Sequence, residues 1–168
     1  EALETTPGVW TYTYAKTGSE ILKQPGGIAY QIFDAKTREA IERYHYDGAT
    51  PAVADTIKDL AEQLEIKPDV LMQTVEEYNA AVMTDRAFDE VTRDGKGTTG
   101  LYPPKSNWAQ TIDKPPYRAF AATCGLTFTY GGMKINNRCQ VLNKLDMPIA
   151  GLYAAGELTG GFFYYNYP

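Results

Sequence analysis

Between Thr56 and Val82 apolar residues recur at the period of an α-helix, and beyond Tyr117 they recur at the period of a β-strand. No single regular element satisfies both periods, so helices and sheet must occupy separate stretches of this chain. Thr56 with Asp59 three residues on reads as a helix start, followed by Ile57, Leu60, Ala61 and Leu64 on one face. Pro68 stands where a first-turn proline belongs, and Val70, Leu71, Thr74, Val75, Tyr78 and Val82 form a second stripe. Before these helices, residues 1–27 show no clear periodicity and close on the turn Pro25-Gly26-Gly27. A strand is predicted over 28–33, stopped by Asp34, then a short helix from Thr37 to Tyr44. Strands are also predicted at 117–123, 126–130, 133–135, 139–142 and 151–155. Helices early and strands late predict an α+β fold, with a boundary near Thr123 that separates 1–122 from 123–168.

Composition narrows the function classes. The 168 residues are 43% hydrophobic and 22% charged, an ordinary mix for a chain with a core. A net charge of −5, with no dense basic cluster, argues against a nucleic-acid partner. No apolar run is long enough for a membrane span. Cys124 and Cys139 share no metal-ligand spacing. Whether they pair is open from sequence, and they are read as reduced thiols, hence a cytoplasmic location. His45, the only histidine, lies in the turn-like Tyr44-His45-Tyr46-Asp47-Gly48 and is read as a surface or packing residue; no metal site is expected.

Two glycine-rich runs invite a ligand reading, and context separates them. Gly95-Lys96-Gly97-Thr98-Thr99-Gly100 has the letters of a dinucleotide fingerprint, but Val91-Thr92-Arg93-Asp94 precedes it and Leu101-Tyr102-Pro103-Pro104 follows. A phosphate-binding turn needs a hydrophobic strand before it and a helix after it. This run is expected to be loop, inside a polar stretch at 84–116 that is too long for a plain connector. The second run begins Gly131-Gly132-Met133-Lys134-Ile135-Asn136. It ends Ile149-Ala150-Gly151-Leu152-Tyr153-Ala154-Ala155-Gly156-Glu157-Leu158-Thr159-Gly160-Gly161. It places glycines, which admit close approach to backbone, beside one carboxylate that can accept hydrogen bonds from sugar hydroxyls.

That second run resembles the late FAD-domain segment of the succinate dehydrogenase/fumarate reductase flavoprotein family, in which a Gly-Gly strand precedes a Gly-Leu-Tyr-Ala-Ala-Gly-Glu strand end. Leu60-Ala61 to Leu64, Leu71, Thr74-Val75 and Tyr78-Asn79 resemble that family's cap helices, and Ile32–Arg38 resembles a strand and helix start bearing its catalytic arginine. Pro103–Ala109, Pro115-Pro116-Tyr117 and Leu126–Tyr130 are most similar to a tricarballylate dehydrogenase-like branch. The resemblance implies that 1–122 is a substrate-capping domain and that 123–168 is a fragment of the FAD-domain sheet. The chain is then expected to be a piece of a longer protein, cut after an aromatic run at Tyr165–Pro168. Its partners would be the remaining FAD domain of the same chain and a small carboxylate substrate, and its cofactor FAD, which the piece by itself is expected to hold weakly or not at all.

The resemblance also assigns residues. Arg38 would be the catalytic arginine, clamping a carboxylate, and Glu1 would match a glutamate of a proton relay. Phe128, Thr129, Tyr130 and Tyr167 fall on the substrate side; Phe128 stands where soluble fumarate reductases carry a substrate-binding histidine, which argues against fumarate or succinate as the substrate. Tyr167 is read either there or as an aromatic packed among Phe162, Phe163, Tyr164 and Tyr165. Gly132, Gly156, Glu157, Gly160 and Gly161 would face the flavin nucleotide. The chemistry implied is hydride transfer at a CH–CH or C=C bond next to a carboxylate. The competing reading is a stand-alone α+β binding module with no catalysis, which the absence of a true nucleotide fingerprint favours.

Overall fold

The computed structural model describes residues 14–37, 48–125, 129 and 131–163. The backbone separates after Thr123 into two compact units. The first contains α1 (Tyr14–Leu22), β1 (Ala29–Phe33), β2 (Ala52–Ala54), α2 (Ile57–Gln63), α3 (Pro68–Ala81) and β3 (Tyr117–Ala122).

Its three strands form an antiparallel sheet in the order β1-β3-β2. The register sets Phe33 and Val53 on either side of Arg118, and Ile32 and Ala52 on either side of Ala119. Because side chains alternate across a strand, Tyr117 and Ala119 face one side and Arg118 and Phe120 the other. The first side receives the helices: Ala54, Leu60, Tyr117 and Ala119 form a buried cluster with Ile32, Ile57 and Leu64 against it. Ala61, Leu71 and Val75 join α2 to α3. Leu60 is fully buried.

The helices predicted from Thr56 and from Pro68 both form with those starts. The Thr56 hydroxyl accepts from the Asp59 amide at 3.0 Å, closing the first turn of α2. Pro68 occupies the start of α3, where its missing N–H costs nothing. The short helix predicted from Thr37 falls almost wholly outside the described residues; Ala35–Thr37 is a 3₁₀ turn.

Two elements escaped the sequence reading. One is α1, whose Thr17 and Gly18 dilute helix propensity and whose residues from 15 to 22 are half-buried or exposed. The other is β2, an Ala-Val-Ala strand too short to show a period. It exists because β3 offers it an edge.

The stretch at 84–116 is loop, as its composition predicts, yet it is tied down. Asn79 of α3 grips it at Ile112 through both backbone groups, accepting from the amide at 2.7 Å and donating to the carbonyl at 3.0 Å. The Asp94 carboxylate accepts from the amides of Lys96, Trp108 and Asp89. Burial works against its charge, but those three hydrogen bonds outweigh it and hold its pKa below the usual carboxylate value. The Gly97 carbonyl accepts from Met83 N, and a Cβ on this glycine would collide with the Lys105 carbonyl oxygen. Gly95–Gly100 is therefore folded onto its own loop, with no strand before it and no helix after it.

The second unit is built on a hairpin of β4 (Gln140–Leu142) and β5 (Pro148–Tyr153). Asn143 makes its turn, accepting from Leu145 N at 2.8 Å and Met147 N at 3.1 Å. The predicted strand at 133–135 is reduced to two isolated bridges, Met133 to Thr159 and Ile135 to Val141. The last strand begins earlier than predicted and ends at Tyr153. Its six residues are all exposed. Of the strand predicted at 126–130, only Thr129 is described, and it is not in a strand.

Candidate functional site

In the second unit the chain doubles back so that Met133 and Thr159 pair as a parallel bridge. Met133 N donates to Leu158 O at 3.0 Å and Gly160 N donates to Met133 O at 3.1 Å. The two backbones touch so closely at Gly132 that a Cβ there would lie 2.5 Å from Gly160 N. Glycine is required for a steric reason. Between the paired segments, Gly156–Leu158 makes a single 3₁₀ turn, with Gly156 at φ +75° and Gly161 beyond it at φ +98°.

This turn presents Glu157 outward. Its Oε1 accepts from the Thr129 amide at 2.6 Å and from the Thr129 hydroxyl at 2.7 Å. The amide bond, then the hydroxyl bond, lowers its pKa, so the group is a carboxylate at neutral pH. Around it, Cβ atoms at Gly131, Gly156 and Gly161 would meet nothing within 4 Å. The result is an exposed acceptor on a fixed turn, flanked by open backbone. Such a surface suits a ligand carrying hydroxyl groups, as the ribityl and ribose parts of a flavin nucleotide do. The sequence reading placed Gly132, Gly156, Glu157, Gly160 and Gly161 at one site, and they are neighbours here. Gly132 and Gly160, however, are needed by each other.

The first unit holds a different cluster. Asp34, only 2% exposed, accepts from the amides of Lys36, Asp113 and Lys114 at 2.9, 3.1 and 3.1 Å. It also pairs with Lys36 Nζ at 2.9 Å, and Lys36 reaches Asp113 and Thr111. Burial opposes the Lys36 charge, but its bonds to Asp113 and then Asp34 prevail and raise its pKa. Asp34 thus ties the end of β1 to the last turn of the long loop. The sequence reading took Asp34 only as a strand stop; a polar residue closing an apolar strand was the available signal.

Thr129 is the one substrate-side residue described. Arg38, Glu1, Phe128, Tyr130 and Tyr167 lie outside the described residues, as does His45. Asn107, in the long loop, is buried and used internally: its Oδ1 accepts from Gly95 N at 2.9 Å. Cys124 and Cys139 are not joined in a disulfide. Among the described residues no group of three or more His, Cys, Asp or Glu side chains could hold a metal ion, and no helix is long and apolar enough to cross a membrane.

The second unit thus sets a close backbone crossing at Gly132 and Gly160 beside an exposed, hydrogen-bonded glutamate. Residues 4–167 match the FAD binding domain family, and the chain belongs to that family; FAD is its cofactor. The chain is 34% identical over 152 residues to a fumarate reductase (cytochrome) of Shewanella frigidimarina, spanning 89% of this chain and 24% of that protein. It is 33% identical over 151 residues to an NADH:acrylate oxidoreductase of Vibrio harveyi, spanning 85% of this chain and 14% of that one. Its fold is similar to the open conformation of a flavocytochrome c3 fumarate reductase, with a TM-score of 0.63 at 32% identity. That likeness covers 90% of this chain and 25% of the other. The chain therefore spans about a quarter or less of the length of these relatives.

Proposed function

We propose that this chain works as part of a longer FAD-dependent oxidoreductase that reduces or dehydrogenates a carbon–carbon bond next to a carboxylate. The observation that carries the reading is the Glu157 turn held by Thr129 and by the Gly132–Gly160 crossing, in a chain of the FAD binding domain family. Fumarate and acrylate, in the names of two relatives, both have a C=C bond conjugated to a carboxylate. FAD, when bound, accepts or delivers the hydride; this chain's residues hold it and position the substrate. Glu157 accepts hydrogen bonds from the cofactor's hydroxyl groups, and Gly131, Gly156 and Gly161 let it approach the backbone.

The first unit is proposed as a substrate cap and the second as a returning segment of the flavin domain. Support comes from the exposure of all six residues of β5, including Ile149, Leu152 and Tyr153. A two-stranded hairpin with apolar side chains in solvent is marginal by itself and is stabilised by further strands. The remainder of an FAD domain would supply them. A tricarballylate-like substrate, the finer reading, rests on the sequence resemblance at 103–109, 115–117 and 126–130; the role of Arg38 rests on the resemblance at 32–38, and those of Glu1, Phe128, Thr129, Tyr130 and Tyr167 on the family resemblance as a whole.

The test is turnover of fumarate, acrylate and tricarballylate by the full-length enzyme with an artificial electron carrier. Glu157→Ala should lose most of its FAD on gel filtration. Full FAD retention by that variant would dissociate this turn from the cofactor. Arg38→Lys examines the substrate side separately: a fall in turnover of about a hundredfold with FAD retained would place it at the substrate. Equal rates would remove it.

A further inference from the structure

Every backbone amide between Asp34 and Arg38 has an acceptor. Ala35 N donates to Lys114 O at 2.8 Å, Lys36 N to Asp34 Oδ1 at 2.9 Å, and Thr37 N to Asp34 O at 3.3 Å. The Thr37 hydroxyl donates to the same carbonyl at 3.0 Å. The second carboxylate oxygen, Oδ2, accepts from Asp113 N and Lys114 N, both at 3.1 Å, and pairs with Lys36 Nζ at 2.9 Å. Lys36 closes the ring by reaching Asp113. One buried side chain thus fastens the turn at 35–37 to the segment that enters β3.

That anchorage exceeds what the end of a strand requires. Burying a carboxylate costs free energy that its partners must offset, and an exposed Asn or Gly makes a turn without it. β3 is held from its first residue, since Tyr117 and Ala119 belong to the buried cluster around Leu60. The turn is therefore tied to the core of the first unit, and Arg38 is the next residue of the chain. A side chain that must meet a substrate has to be held within about 0.5 Å by the shell that supports it, and packed elements do this better than free loops.

We propose that Asp34, braced by Lys36 and Asp113, is a positioning residue for Arg38 and fixes the point from which that side chain acts. The inference rests on the substrate role proposed for Arg38 and concerns the first unit alone.

A double-mutant cycle in the full-length enzyme tests it. Turnover is measured on whichever of fumarate, acrylate and tricarballylate the wild type reduces or oxidises fastest, per bound FAD and well below each variant's melting temperature. Asp34→Asn should lower kcat by about tenfold to a hundredfold, the scale of a 1 Å misplacement, with FAD content unchanged. In an Arg38→Lys background the same change should cost about twofold at most, because nothing is left to position. Lys36→Met leaves every backbone bond of the turn in place and repeats the cycle should Asp34→Asn fail to fold. Its loss should be severalfold and again confined to the enzyme that retains Arg38. An equal fold-loss in both backgrounds would show that Asp34 only stabilises the fold and would overturn the proposal, as would wild-type turnover by Asp34→Asn. Wild-type turnover by Arg38→Lys alone is a different failure: it removes the arginine from the substrate, and the reason for positioning it goes too.

Discussion

Asp34 shows how much one side chain can organise. Its carboxylate is nearly inaccessible and satisfies three backbone amides from both sides of a long loop, together with a lysine. Asp34→Ala would leave those donors buried without an acceptor and should destabilise by about 2–4 kcal/mol, read from urea unfolding. Asp94 plays the same part inside the loop, and there the consequence is a pH dependence. Its folded-state pKa is depressed, so its contribution is present above the ordinary carboxylate pKa and is lost as pH falls through the folded value. Asp113, held down by its hydrogen bonds from Lys36 and Thr111, acts in the same direction. Lys36 has the opposite sign: its raised pKa gives stability present below the ordinary lysine value and lost only at strongly alkaline pH. Melting temperature should therefore fall steeply between about pH 4 and pH 2, where carboxylates titrate. Asp94→Asn should flatten that limb while leaving the alkaline limb unchanged.

At the scale of elements, the helices of the first unit are held by packing more than by propensity. α2 has only seven residues, too few to persist alone, and it endures because Leu60 and Ala61 are fully buried against the sheet and α3. Leu60→Ala should cost about 2–5 kcal/mol, whereas Thr56→Ala, which removes one cap hydrogen bond, should cost about 1 kcal/mol. The two together rank cap against core, and chemical denaturation of both variants measures it. A reversal of that order would mean that α2 is set by its cap. In the second unit the equivalent control point is Gly132. Gly132→Ala forces its Cβ into the Leu158–Gly160 backbone, so the bridge from Met133 to Thr159 must open.

At the scale of the whole molecule, that bridge is where the proposed cofactor site can be tested through the backbone that shapes it. In the full-length enzyme Gly132→Ala should lower FAD occupancy severalfold, followed by flavin absorbance after desalting. Thr56→Ala should leave occupancy unchanged, since it acts in the first unit only. The chain by itself, with the Glu157 turn as its one proposed flavin contact, should bind FAD weakly; fluorescence titration checks this. Tight stoichiometric binding would mean that the Glu157 turn is a complete site and not a part of one.

The sequence by itself determined α2, α3 and β1, because each combines a period with a start or stop residue: Thr56, Pro68 and Asp34. It also determined that Gly95–Gly100 is loop, through the lack of a strand before it and a helix after it, and that Gly132 and Gly156–Gly161 belong together. Tertiary structure decided the rest. The Ala-Val-Ala of β2 has no period to read and becomes a strand only because β3 lends it an edge. Asp34 reaches amides nearly eighty residues away, and Thr129 finds Glu157 across a fold of the chain. Arg118 reads as one more charged residue in a strand until the register sets it between Phe33 and Val53. Periodicity and caps are local and survive in one dimension. Hydrogen bonds between distant segments, and the burial of a charge, exist only once the chain has closed on itself.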